Sequence, residues 1–150
     1  MNRIKTLMAA VASAFIFAAC VKDEPVVIEY LDVNANNISG SWELVEWNGA
    51  PLQQGTYVFL DIVRKDNTYT IYQNVDSFSD MPHTVTGKFF LETDPALGAV
   101  IRGNYDHDSG DWAHRYIVLE LTKDSMKWVA KDNPEYIQVY KRIESVPVSE

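Results

Sequence analysis

The densest group of side chains able to do chemistry is "NYDHDSGDWAHR", residues 104–115. It offers Asp106, His107, Asp108, Asp111 and His114. A calcium loop places oxygen ligands at fixed positions and closes with a glutamate. Here Gly110 falls one place early and no Glu closes the run. Two histidines with an aspartate as third ligand would suit zinc. Asp, Ser and Gly are equally what a hairpin turn contains, so no metal or cofactor is assigned. Glu43, Glu46, Asp61 and Glu120 lie within expected strands. An inward pair at fixed separation would suit glycoside hydrolysis, but nothing in the sequence fixes a separation. There is no Gly-rich phosphate loop, nucleophile elbow or His-Glu-x-x-His pattern. No catalytic residue is assigned.

The elements that would position these groups read as β almost throughout. Eight runs carry strand chemistry: 41–47, 56–63, 67–73, 83–92, 99–105, 114–121, 125–131 and 136–142. Turn residues separate them, as in "NGAPLQQG", "RKDN", "TDPALG" and "DNPE". In the fourth run Val85, Phe89 and Leu91 share one face, and Thr84, Thr86 and Lys88 the other. In the sixth, Ile117, Leu119 and Leu121 align as an apolar face. Residues 74–82 form the one long irregular stretch within the domain. Short connections between many strands favour a meander, and closure would remove its edges. The expectation is an all-β, eight-stranded antiparallel up-and-down barrel over residues 39–143, with a β-sandwich as the alternative.

Aromatic residues are abundant, with four Trp and eight Tyr. Trp47, Tyr57, Tyr69, Tyr72, Trp112 and Trp128 lie in or beside strands and are candidate ligand or rim contacts. Phe78, with Met81, sits in the long loop and is a candidate exposed contact. Stacked rings near amides suit sugars or planar molecules. The same rings would equally fill a small barrel.

Cys20 is the only cysteine, which rules out a disulfide framework and a thiolate metal site. It follows a basic head at Arg3 and Lys5 and an uncharged run from Leu7 to Ala19. That pattern is a secretory signal. The run is shorter than the about twenty residues a spanning helix needs. Phe17-Ala18-Ala19-Cys20 resembles a bacterial lipobox, with Phe17 where an aliphatic residue is usual. The resemblance implies cleavage after residue 19 and acyl chains on Cys20, anchoring the protein in the outer membrane. "VKDEP" at 21–25 resembles the surface-export signal of Bacteroidetes lipoproteins. It would also serve as a solvated tether. Surface display is slightly favoured over the periplasmic face. Residues 20–38 read as lipidated Cys plus tether, with an apolar patch at 26–31 that would add an edge strand or pack on the domain. Residues 144–150 read as a tail. Losing Arg3 and Lys5 takes the formal charge from −8 to −10, which disfavours nucleic acid as a partner.

"GSW" at 40–42 resembles the Gly-x-Trp signature of lipocalins and related calycins. With the lipobox and "SGSWELVEWNGAPL", the chain resembles small lipocalin-like lipoproteins of Bacteroidetes over residues 38–143. The resemblance implies that Gly40, Trp42 and Arg142 close one end of the barrel, the guanidinium lying over the indole.

These readings lead to a lipid-anchored, non-enzymatic protein that binds a small molecule or glycan. A solid barrel acting on an envelope protein is the alternative, and a hydrolase the third reading. The anchor gives a direct test. Cys20→Ala should abolish fatty-acid labelling and membrane retention; labelling at the wild-type level would remove the lipoprotein reading.

Overall fold

A computed structural model of the chain describes residues 23–75, 81–107 and 109–147. One short helix, α1 (Ala35–Ile38), precedes nine strands. They are β1 (Gly40–Trp47), β2 (Ala50–Pro51), β3 (Val58–Val63), β4 (Thr68–Gln73) and β5 (His83–Asp94). Then come β6 (Gly98–Gly103), β7 (Tyr116–Leu119), β8 (Ser125–Ala130) and β9 (Asn133–Ile143). Every pairing is antiparallel and joins neighbours in the order β1-β3-β4-β5-β6-β7-β8-β9. β9 pairs back onto β1, which closes an eight-stranded barrel. β2 is an additional two-residue strand on the end of β1. The architecture is therefore the expected antiparallel barrel and not a sandwich.

Alternation explains which residues fill it. On β3, Val58, Leu60 and Ile62 are buried while Phe59 and Asp61 lie on the other face. On β5, Phe89 is buried and Thr84, Thr86 and Lys88 are exposed, the facing its sequence implies. On β7 the implied facing is reversed. Tyr116 and Val118 turn inward, whereas Leu119 is exposed. Leu121 nevertheless returns to the core. The reason is backbone: Glu120 has φ 51°, a left-handed residue that breaks the period of two. Hydrophobicity alone assigned the wrong face because a tyrosine at the strand's start belongs to the interior.

One end of the barrel is closed by a single cluster. Trp42 is fully buried on β1. Its cross-strand partner on β9 is Arg142, whose guanidinium carbon lies 4.0 Å from the centre of the indole ring. The indole Nε1 donates to the Ile38 carbonyl at 2.9 Å. Arg142 donates to the carbonyls of Lys123 (2.7 Å), Asn37 (2.7 Å) and Ser39 (2.5 Å). Gly40 has φ 116°, and a Cβ there would come within 2.7 Å of Arg142 Nη1. Only glycine meets both demands.

The domain begins earlier than the tether reading placed it. Leu31 N donates to the Leu121 carbonyl at 2.8 Å. Leu31, Val33 and Ala35 pack against the core, and Ile38 is buried. Asn34 caps α1 by accepting from Asn37 N. These apolar side chains cover the closed end, so only the stretch before Leu31 keeps a tether's character. Val26 and Val27 there are 90% and 87% exposed, and the patch forms no strand.

The closing cluster makes a prediction. Trp42→Ala removes a wholly buried indole together with the surface on which Arg142 rests. It should cost ~3–5 kcal/mol of stability in denaturant melts. An unchanged midpoint would show that the indole does not hold the end shut.

Candidate functional site

Moving along β1 and β9 away from Trp42, the interior changes character. The inward residues of β9 are Tyr140, Gln138 and Tyr136 in turn, and those of β1 are Leu44 and Trp47. Trp47 faces inward because β1 carries a bulge between Leu44 and Glu46. The extra residue reverses the facing, so Trp47 enters the cavity and Glu46 is turned to solvent. Val58 of β3, Ile71 and Gln73 of β4, Tyr116 of β7 and Trp128 of β8 complete the strand contribution. The 104–115 loop adds Tyr105, Trp112, Ala113 and His114. Together they line an open-mouthed cavity of about 260 Å³.

The loop is folded into the barrel by its own backbone. Asn104 bridges to Asp111, Tyr105 N donates to the Gly110 carbonyl, and Trp112 N donates to the Gly103 carbonyl. Trp112 then lies flat against Gly103, where a Cβ would come within 2.3 Å of the indole. Its Nε1 donates to the Tyr69 hydroxyl at 2.8 Å, which donates to the Asn104 carbonyl at 2.7 Å. Tyr69 is thereby used up as a buried brace beneath the cavity and is not part of its lining.

Rings meet throughout the wall. Trp47 and Tyr136 are edge-on at 5.8 Å between centroids. Trp128 lies 5.4 Å from Tyr116 and 5.0 Å from Tyr140. His114 lies 5.0 Å from Tyr136 and pairs through Nδ1 with Asp132 at 2.9 Å. That pairing holds the Asp132 carboxyl below its ordinary range. Among the described residues the lining contains no Asp, Glu, Lys or Arg. Burial raises the Tyr116, Tyr136 and Tyr140 hydroxyls above their ordinary value, so they stay protonated. The cavity offers ring faces, tyrosine hydroxyls, glutamine amides and the His114 ring.

Of the aromatic residues singled out by sequence, the structure brings Trp47, Trp112 and Trp128 together in this cavity. Tyr57 and Tyr72 are on the outside of the barrel. With Phe59, Pro82, His83, Thr84 and Pro147 they line a separate depression of about 510 Å³. Tyr57 and Phe59 stack there at 5.4 Å. Phe78 lies outside the described residues, and Met81 is exposed. Cys20 also lies outside them. None of Glu43, Glu46, Asp61 and Glu120 lines the cavity. Asp61 instead accepts a bond from Ser41 Oγ at 3.0 Å. Glu120 faces Lys127 at 3.8 Å, and both line an outer depression with Glu46. Among the described residues, no three His, Cys, Asp or Glu are grouped to hold a metal ion.

Sequence reasoning missed Gln138, Tyr116 and Tyr136. The signal for two of them was present: Tyr136, Gln138 and Tyr140 stand two apart and share one face of β9. A glutamine between two inward tyrosines marks a polar position in the interior. Compared with protein-family models and with curated proteins, the chain matches none.

The buried tyrosines give a pH prediction. Burial, partly offset by the bond from Trp112, pushes Tyr69 from 10.0 up to about 12. A proton held more tightly when folded stabilises the fold below the unfolded value and is lost as pH rises through the folded one. The Tyr69 contribution to stability should therefore be level up to about pH 10 and fall between about 10 and 12. Tyr69→Phe should flatten part of that slope in denaturant melts at stepped pH. Wild-type stability that stays level throughout would contradict it.

Proposed function

We propose that this is a lipid-anchored outer-membrane protein whose lipocalin-like barrel binds a small neutral molecule in its aromatic cavity. The anchor part rests on Cys20 and the lipobox-like run before it. The binding part rests on one observation: a concave aromatic lining, with no Asp, Glu, Lys or Arg among its described residues, at the barrel end away from Trp42. Pockets for drug-sized ligands run from roughly 300 to 1,000 Å³. A cavity of about 260 Å³ suits one ring, either a planar molecule or a single sugar unit of a glycan. Three tryptophans in the wall supply stacking faces. The mechanism is shape, stacking and a few hydrogen bonds, with no bond made or broken.

A second reading has its own observation. The Tyr57, Phe59 and Tyr72 side chains form an outer aromatic face, which would serve an interaction module bound to an envelope protein or glycan through the barrel wall.

Ala113 separates the two, because it is exposed and lines the cavity. Tryptophan fluorescence of the full chain in detergent would be titrated with toluene, phenol and methyl glucoside. A saturable change is expected for at least one compound, and Ala113→Phe should abolish it. No saturable change with any compound, or one undiminished in the variant, would overturn binding in the cavity.

A further inference from the structure

Three cavity residues occupy one rung of the barrel. Gln138 on β9 is the direct cross-strand partner of Trp128 on β8. On its other side it is the partner of Trp47 on β1. The rung thus places one amide between two indoles. All three side chains line the cavity.

Two hydrogen-bond donors on this rung have no acceptor among the described residues. Trp128 is 3% exposed, and its Nε1 is buried without a partner among the described residues. Gln138 is 9% exposed. The Tyr140 hydroxyl donates to its Oε1 at 3.0 Å, which fixes the amide. Its Nε2 donates to no described residue. Buried donors are nearly always paired, because an unpaired one loses its bond to water and gains nothing in return. Trp128 Nε1 is such a donor, and Gln138 Nε2, which is not fully buried, stands beside it on the same rung of the cavity wall. The other indole of the wall, Trp112, has its acceptor in Tyr69. Among the described residues, Trp128 Nε1 is the one buried side-chain donor left without a partner.

The geometry points to a ligand of defined class: a neutral planar ring bearing a carbonyl-type acceptor, with the acceptor met by Gln138 Nε2 and Trp128 Nε1. This deepens the cavity-binding reading and rests on it. The ring is met by the indole and phenol faces around the rung. Neutrality follows from the lining, whose described residues include no Asp, Glu, Lys or Arg and whose one histidine, His114, is already paired with Asp132; an unbalanced charge is costly to strip of water. A saturated hydrocarbon would fill the space but leave both donors unpaired.

Benzamide, toluene and benzoate share a ring and differ in the acceptor and the charge. Fluorescence titration of the full chain in detergent should show benzamide binding about tenfold more tightly than toluene, the effect of one desolvated hydrogen bond. Benzoate should bind more weakly than benzamide. Gln138→Met and Trp128→Phe each remove one donor. In whichever variant keeps the wild-type near-ultraviolet circular dichroism, the preference for benzamide should shrink while toluene binding stays. Equal binding of benzamide and toluene, a preference unchanged in both variants, or tighter binding of benzoate would overturn the acceptor assignment and leave cavity binding standing. Failure of benzamide and toluene alike would overturn the acceptor assignment, and failure of phenol and methyl glucoside as well would overturn cavity binding with it.

Discussion

The whole structure depends on the contact between Arg142 and Trp42. A sheet becomes a barrel only if its first and last strands pair, and here that pairing carries its own lock. The indole presents a flat apolar face to the inside of the barrel end. The guanidinium covers it and spends its N–H groups on three carbonyls: Asn37 and Ser39, just before β1, and Lys123, just before β8. A lysine would supply the charge without the planar stacking or the fork of donors. Closure leaves only short edges, which suits a chain rich in exposed strand apolar residues such as Val63, Phe90 and Leu119.

With one end fixed in this way, the interior divides by height. Near Trp42 the aliphatic and aromatic side chains of Leu60, Ile62, Phe89 and Met126 fill the space. Farther along, the barrel is lined by larger rings that meet at edges and angles and leave a hollow between them. The loop between β6 and β7 matters here as much as any strand. β6 and β7 pair through only two residue pairs, and the loop compensates by sending Trp112 inward over Gly103. The cavity wall is thus part sheet and part loop, braced by the Trp112, Tyr69 and Asn104 chain of hydrogen bonds.

Much of this was legible from residue order. Runs with a period of two, punctuated by Asn, Gly, Asp and Pro, were enough to place the eight barrel strands. Three features defeated parity counting. The bulge in β1 exchanges the facing of Glu46 and Trp47, so an acid in step with Trp42 and Leu44 ends outside. The left-handed Glu120 does the same after β7. Both surfaces of the barrel carry aromatics, so Tyr57 and Tyr72 could not be told from Trp47 and Trp128 by type. Residues 31–38 looked like tether because they are rich in Asn and Asp, yet their few apolar side chains are the ones that pack. Gln138 was readable in principle, but an amide is conspicuous only when its neighbours are known to point inward.

The lock between Arg142 and Ser39 spans 103 residues of chain. Bringing such distant segments together is entropically demanding, and folds built on distant contacts form slowly. A domain emerging from its N-terminus would have Trp42 ready long before β9 exists to cover it. Until the last strand is complete, β1 has an unpaired edge and an uncovered indole. The barrel therefore cannot mature piecemeal. Its closure waits on the last strand.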